Sequence, residues 1–160
     1  MSEKIYLYPI WVRLWHALNA ILIILLIITG VSMQFTNPDN PFIRFDIAVK
    51  MHNISGIVLT LNYAFFLIGT FVTPNGKHYK LTLKGLMGRI MKQFTYYTFG
   101  IFKHEPTPFP VTKDSKFNPL QQFTYVAAMF FLVPVVIITG WTLLYPELVL
   151  TKFFGGSGLK

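Results

Sequence analysis

The chain alternates between long apolar runs and short polar breaks. No ionised residue falls between Arg13 and Asp39, between Lys50 and Lys77, or between Lys116 and Glu147, which leaves uncharged stretches of 25, 26 and 30 residues. A hydrocarbon core about 30 Å thick needs about 20 apolar residues in a helix, so each stretch is long enough to cross it with some tilt. The pattern predicts three transmembrane helices, over about 9–35, 47–73 and 118–145. Asn37-Pro38-Asp39-Asn40-Pro41 stops the first and Thr73-Pro74-Asn75-Gly76 the second, since proline and glycine interrupt the helical ladder. Between the second and third spans, Leu83, Leu86, Met87, Ile90, Met91 and Phe94 recur at spacings of three and four, with Lys84, Arg89 and Lys92 among them. That is a basic amphipathic helix, expected within about 80–102 and lying in the membrane interface. From His104 to Lys116, Pro106, Pro108 and Pro110 enforce an extended connector, and residues 146–160 form a tail. The whole of 1–160 reads as one all-α membrane domain.

Composition agrees. Residues are 53% hydrophobic, 17% aromatic and only 12% charged, against about 25% charged in soluble domains. The net charge of +8 is unevenly placed: residues 77–116 carry eight Lys/Arg against Glu105 and Asp114, whereas Asp39, Arg44, Asp46 and Lys50 sum to zero. The positive-inside rule then places the basic connection and the N-terminus in the cytoplasm. The basic excess reports orientation and contact with anionic lipid in the bilayer, and no nucleic-acid partner is expected. There is no cysteine, so disulfides, iron–sulfur ligation by this chain and covalent c-type haem are excluded. The first span, too long and too weakly marked for a cleaved signal peptide, reads as a permanent anchor.

Four histidines remain. His78 and His104 stand beside Lys77 and Lys103 in the basic segment, where solvent-facing imidazoles need no special role. His16 and His52 lie in uncharged spans, and an ionisable residue within a membrane is a functional candidate. A helix-borne histidine facing a bundle interior suits axial ligation of a b-type haem. Gly56 lies one turn beyond His52, where the missing side chain would let a porphyrin approach the backbone. Arg13 lies one turn before His16, placed to neutralise a haem propionate. The alternative for each histidine is a structural interhelical hydrogen bond. Because the first two helices are antiparallel, His16 and His52 sit at opposite depths and cannot share one iron, and the third span holds no histidine. A proton-relaying transporter is a further alternative, opposed by the absence of Asp or Glu from every span, although Pro134 could kink the third helix. An internal echo, Leu26-Ile-Ile-Thr-Gly30 and Val136-Ile-Ile-Thr-Gly140, reads as a shared need for close helix packing.

Tyr8-Pro-Ile-Trp-Val-Arg-Leu-Trp-His16-Ala-Leu-Asn, the apolar run ending in Thr29-Gly30, Lys50-Met-His52-Asn-Ile-Ser-Gly56 and Lys116-Phe-Asn-Pro-Leu-Gln-Gln122 together resemble the prokaryotic di-haem cytochrome b subunits of the b561-like superfamily. These are the membrane subunits of formate dehydrogenase, nickel–iron hydrogenase and thiosulfate reductase. The resemblance implies a four-helix bundle in a bacterial or archaeal cytoplasmic membrane, binding two haems b. His16 and His52 would each supply one axial ligand, and a fourth helix the other two. That helix would begin where the chain ends, so a longer chain or a separate polypeptide is expected to provide it. The implied role is an electron-transfer subunit of an oxidoreductase complex, not a stand-alone enzyme. It would link an extracytoplasmic iron–sulfur or c-type cytochrome subunit, and through it a catalytic subunit, to quinone near the cytoplasmic side. Trp15, Asn19 and the basic loop lie near the depth expected for quinone, and none of them is singled out. The competing reading is a haem-free membrane anchor of a redox complex.

Overall fold

The computed structural model describes residues 8–35, 37, 41–112 and 115–147. The expected tail lies outside them beyond Glu147, as do Pro38, Asp39 and Asn40 of the first turn. Helix α1 is Ile10–Phe35, α2 is Phe45–Val72, a 3₁₀ turn follows at Pro74–Tyr79, α3 is Leu86–Thr95 and α4 is Pro119–Leu144. α1, α2 and α4 are each long and apolar enough to cross a membrane, with only 17%, 28% and 11% of their apolar windows buried. Such helices present most of their apolar surface outward, where lipid, not water, can solvate it. This is an all-α membrane protein with three helices long and apolar enough to span a bilayer.

The contacts divide the chain into two compact units, Ile10–Leu67 with Pro134–Lys160, and Met1–Pro9 with Ile68–Val133. In the first unit α1 and α2 run antiparallel, in a register fixed by polar contacts. Trp15 Nε1 donates to the Asn62 carbonyl at 3.1 Å, and Asn62 Nδ2 returns a bond to the Trp15 carbonyl at 3.4 Å. The Trp15 ring stacks on Phe66 at 4.4 Å, and Phe66 is fully buried. Near the other end of the pair, Thr29 meets His52. There the Ile43 amide donates to the Ser32 hydroxyl at 3.1 Å, tying the chain just ahead of α2 back to α1. Helices lack a hydrophobic drive to associate in lipid, so such bonds and close contacts carry the pairing.

In the second unit the end of α2 is shaped by Thr73, whose hydroxyl accepts the Asn75 amide as a cap. Gly76 follows because its backbone lies against the Thr70 carbonyl, where any Cβ would collide. α3 begins later than its sequence pattern suggests. Gly85 adopts φ +66° at its N-cap, and Arg89 ties the Thr82 and Lys84 carbonyls into a turn ahead of the helix. The helix buries Gln93 and exposes Met87, Met91 and Phe94, and Leu83 just ahead of it is exposed too. An outward apolar face beside Lys84 and Lys92 suits lipid, as the amphipathic pattern implies. His78, read from sequence as solvent-facing, is instead buried. Its ring meets Phe117 edge-on at 6.3 Å, and Gln122 Nε2 donates to its carbonyl at 2.9 Å. α4 opens with a capping box in which Asn118 Oδ1 accepts the Gln121 amide and Gln121 Oε1 accepts the Asn118 amide. Its ladder widens into a π turn over Ala128–Leu132, just ahead of Pro134. Proline lacks an N–H and crowds the carbonyl four residues back, and a π turn is one way a helix absorbs that defect.

Two predictions follow from these cores. Phe66→Ala empties the stacking site under Trp15 and should destabilise the α1–α2 pair by about 3 kcal/mol, read as a lower denaturation midpoint in detergent. Lys116, beside the Asn75 oxygen at 3.4 Å and over the Tyr8 ring, has its pKa lowered from 10.5 by burial and by Lys77. The folded state therefore binds that proton less tightly than the unfolded state, and wild type should gain stability relative to Lys116→Met as pH rises from the lowered pKa towards about 10.5. Melting series of both proteins at stepped pH check the sign.

Candidate functional site

His52 stands near the start of α2, where the antiparallel register brings it against Thr29 and Gly30 of α1. Thr29 is fully buried, and its hydroxyl lies 2.6 Å from the Leu25 carbonyl and 2.9 Å from His52 Nδ1. The Leu25 contact is a back-bond in which the threonine donates to its own helix. A hydroxyl carries one proton, so the imidazole supplies the other: Nδ1–H donates to Thr29 and Nε2 keeps its lone pair. Gly30 lies beside the ring as well: a Cβ there would stand in ordinary contact, 3.5 Å from His52 Cε1.

The same residues border a cleft of about 460 Å³ within the first unit. Its walls are His52, Asn53, Gly56, Ile57 and Thr60 of α2, Leu26 and Met33 of α1, and Ile137, Gly140, Trp141 and Leu144 of α4. The volume is that of a small-molecule or cofactor site, and no acidic residue among the described residues lines it. Cβ atoms built on Gly56 and Gly140 would meet nothing within 4 Å, so both glycines face open space. Trp141 is held across the cleft by a bond from its Nε1 to Thr60 Oγ1 at 3.0 Å, while Thr60 donates to the Gly56 carbonyl at 2.9 Å. An apolar slot with flat glycine backbone and one imidazole whose Nε2 is free to ligate fits a haem b held from one side.

Of the candidates read from sequence, His52 and Gly56 come together on this cleft. His16 and Arg13 do not join them. Both are exposed on α1, with the His16 ring edge-on to Trp15 at 6.4 Å. Thirteen residues separate His16 from Thr29, the α1 residue level with His52. At 1.5 Å per residue the two imidazoles are about 20 Å apart along the helix, too far to share a metal. Among the residues near the depth expected for quinone, Trp15 is taken up by Asn62, and the buried amide oxygen of Asn19 has no hydrogen-bond partner among the described residues. Thr29, Thr60, Gly140 and Trp141 were not singled out from sequence. The signal for two of them was the echoed Ile-Ile-Thr-Gly: the first copy places Thr29 and Gly30 on the His52 ring, and the second places Gly140 in the cleft wall.

The span pattern defines a multi-pass membrane protein with a cofactor-sized cleft. Residues 7–159 match the family described as prokaryotic cytochrome b561, and the chain belongs to that family. That family is one of membrane b-type cytochromes, and haem b binding comes with the family. The chain is 41% identical over 154 residues to "Putative cytochrome YdhU" of Escherichia coli (strain K12), covering 96% of this chain and 58% of that relative. The chain thus spans little more than half the length of the curated relative it matches. No solved structure matches it significantly.

Gly56→Leu tests the cleft. The new side chain enters open space, and removing glycine from a helix interior should favour folding by roughly 0.5–1 kcal/mol. Haem content per chain should nevertheless fall, because the leucine occupies the slot. Thermal melts and pyridine-haemochrome stoichiometry on the same preparation give both readouts.

Proposed function

We propose that this protein is a cytochrome b subunit that carries electrons between an extracytoplasmic redox partner and the quinone pool through two haems. The observation that carries this reading is the pair of imidazoles on α1 and α2, about 20 Å apart in depth, one of them already oriented by a neighbour and facing a cleft. His52 and His16 would each hold one haem, and each haem's second ligand would come from outside these 160 residues, on a fourth helix of a longer chain or of another polypeptide. The small buried fraction of the three spans leaves ample apolar surface for such a helix. Positive-inside placement of residues 77–116 puts the N-terminus and His16 towards the cytoplasm, His52 towards the outer face and α3 in the cytoplasmic interface. The 160 residues form one membrane domain on this reading.

When bound, haem b supplies a one-electron couple. The chain's own contribution is positional. Nε2 of His52 would hold the iron, the apolar walls contributed by α1, α2 and α4 would exclude water, and Gly56 would leave room for a flat ring. Arg13, one turn from His16, would neutralise a haem carboxylate. The extracytoplasmic partner would be an iron–sulfur or c-type cytochrome subunit attached to a catalytic subunit.

The test is a reduced-minus-oxidised optical spectrum of the purified native complex with quantified haem. His52→Ala should remove one b-type component and His16→Ala the other, each halving the haem content, while the complex still assembles. A wild-type complex without a b-type α band would establish the haem-free anchor instead. Full haem retention in both variants would overturn the ligand assignment.

A further inference from the structure

The contact between Thr29 and His52 carries more than an orientation. The threonine oxygen lies 2.6 Å from the Leu25 carbonyl, an O···O separation that needs a proton between the two atoms. A carbonyl cannot donate, so the proton is the hydroxyl's. The 2.9 Å contact to Nδ1 must then be donated by the ring. Trp141 repeats the arrangement across the cleft: its Nε1–H enters Thr60, which donates to the Gly56 carbonyl four residues back. The ligand and the cleft wall are thus each held by a ring N–H entering a threonine whose own proton is already committed to its helix.

We propose that Thr29 is the positioning residue of the His52 haem site: it fixes the Nδ1–H tautomer, leaves Nε2 as the one ligating nitrogen, and keeps the imidazole a moderate electron donor. The last clause follows from the chemistry of the acceptor. A carboxylate accepting from Nδ1–H draws the ring towards imidazolate, strengthens its donation to iron and lowers the potential. A neutral hydroxyl that is itself a donor elsewhere does not, and among the described residues no carboxylate lines the cleft. The site is thereby set to a higher potential than a carboxylate-backed histidine would give. This inference rests on His52 being the haem ligand.

Thr29→Val is close to isosteric at a fully buried position and removes only the hydroxyl. In the native complex the haem at His52 should be bound about 10- to 100-fold more weakly. Its midpoint potential should move positive, because an unbacked imidazole donates less to the oxidised iron, and its low-spin electron paramagnetic resonance signal should change as the ring plane is released. Thr29→Ser should restore all three. In haem-depleted protein, nitrogen-15 shifts of the histidines should report a protonated Nδ1 and bare Nε2 for His52, and tautomer mixing in the valine variant. Thr29→Ala gives the same readouts with a smaller side chain if valine perturbs folding. Wild-type potential, spectrum and tautomer in both Thr29→Val and Thr29→Ala would overturn the proposal. If His52→Ala removes a haem while the Thr29 variants are silent, the positioning role alone fails. If His52→Ala keeps every haem, the ligand reading itself fails.

Discussion

An imidazole within a bilayer has no water to satisfy its N–H, and the bond from His52 to Thr29 resolves that problem in a way that organises everything around it. It requires α1 and α2 to be antiparallel and in one register, since a shift of a single residue would turn Thr29 away by about 100°. It sets the ring beside Gly30, where a Cβ would stand in van der Waals contact with Cε1 at 3.5 Å. It also decides which nitrogen remains available. The Trp15–Asn62 exchange at the other end of the same helix pair locks the register a second time. Two polar links far apart along antiparallel helices exclude both sliding and rotation, which apolar side chains packed against lipid-like neighbours would do poorly.

The two histidine sites are unequal as a result. His52 is latched and faces a cleft whose third wall, α4, is itself fastened to α2 through Trp141 and Thr60. His16 is exposed, and among the described residues no hydrogen bond holds its ring. In the proposed reading the first site is preorganised by this chain and the second is built on α1 when another helix covers it. Preorganisation lowers the ordering cost of binding, so the His52 side would take up its cofactor with less help than the His16 side.

The three spans were legible in the sequence almost to the residue, because charge is the quantity a bilayer rejects most strongly and the chain spaces its charges accordingly. Pro119 and the Asn118 cap, or Pro74 and the Thr73 cap, give local signals that survive without tertiary information. His52 with Gly56 was also legible, since one helical turn separates them. What could not be read was any pairing across helices. Thr29 carries no mark of its 23-residue reach to His52. The Thr-Gly echo was recognised as a packing device, but its partner was invisible until the register was known. His78 misled for a related reason: neighbouring lysines suggested solvent, whereas the 3₁₀ turn after α2 carries the ring inward onto Phe117.

Pro134 shows how a local defect supports the cleft. The π turn over Ala128–Leu132 takes up the proline's missing donor before the helix reaches the cleft, so α4 from Val133 onward is regular through Gly140 and Trp141. A regular helix there has a consequence at one-turn spacing: Ile137, Gly140, Trp141 and Leu144 fall on one face, the face that borders the cleft. A distortion within Ile137–Leu144 would break that spacing, and with it the shared face of Gly140 and Trp141 and the Trp141 bond to Thr60. The wall opposite His52 therefore depends on where the helix places its irregularity, as the ligand depends on Thr29. In both cases a helix backbone carbonyl is the final acceptor, the one hydrogen-bonding group that a membrane-buried segment always has at hand.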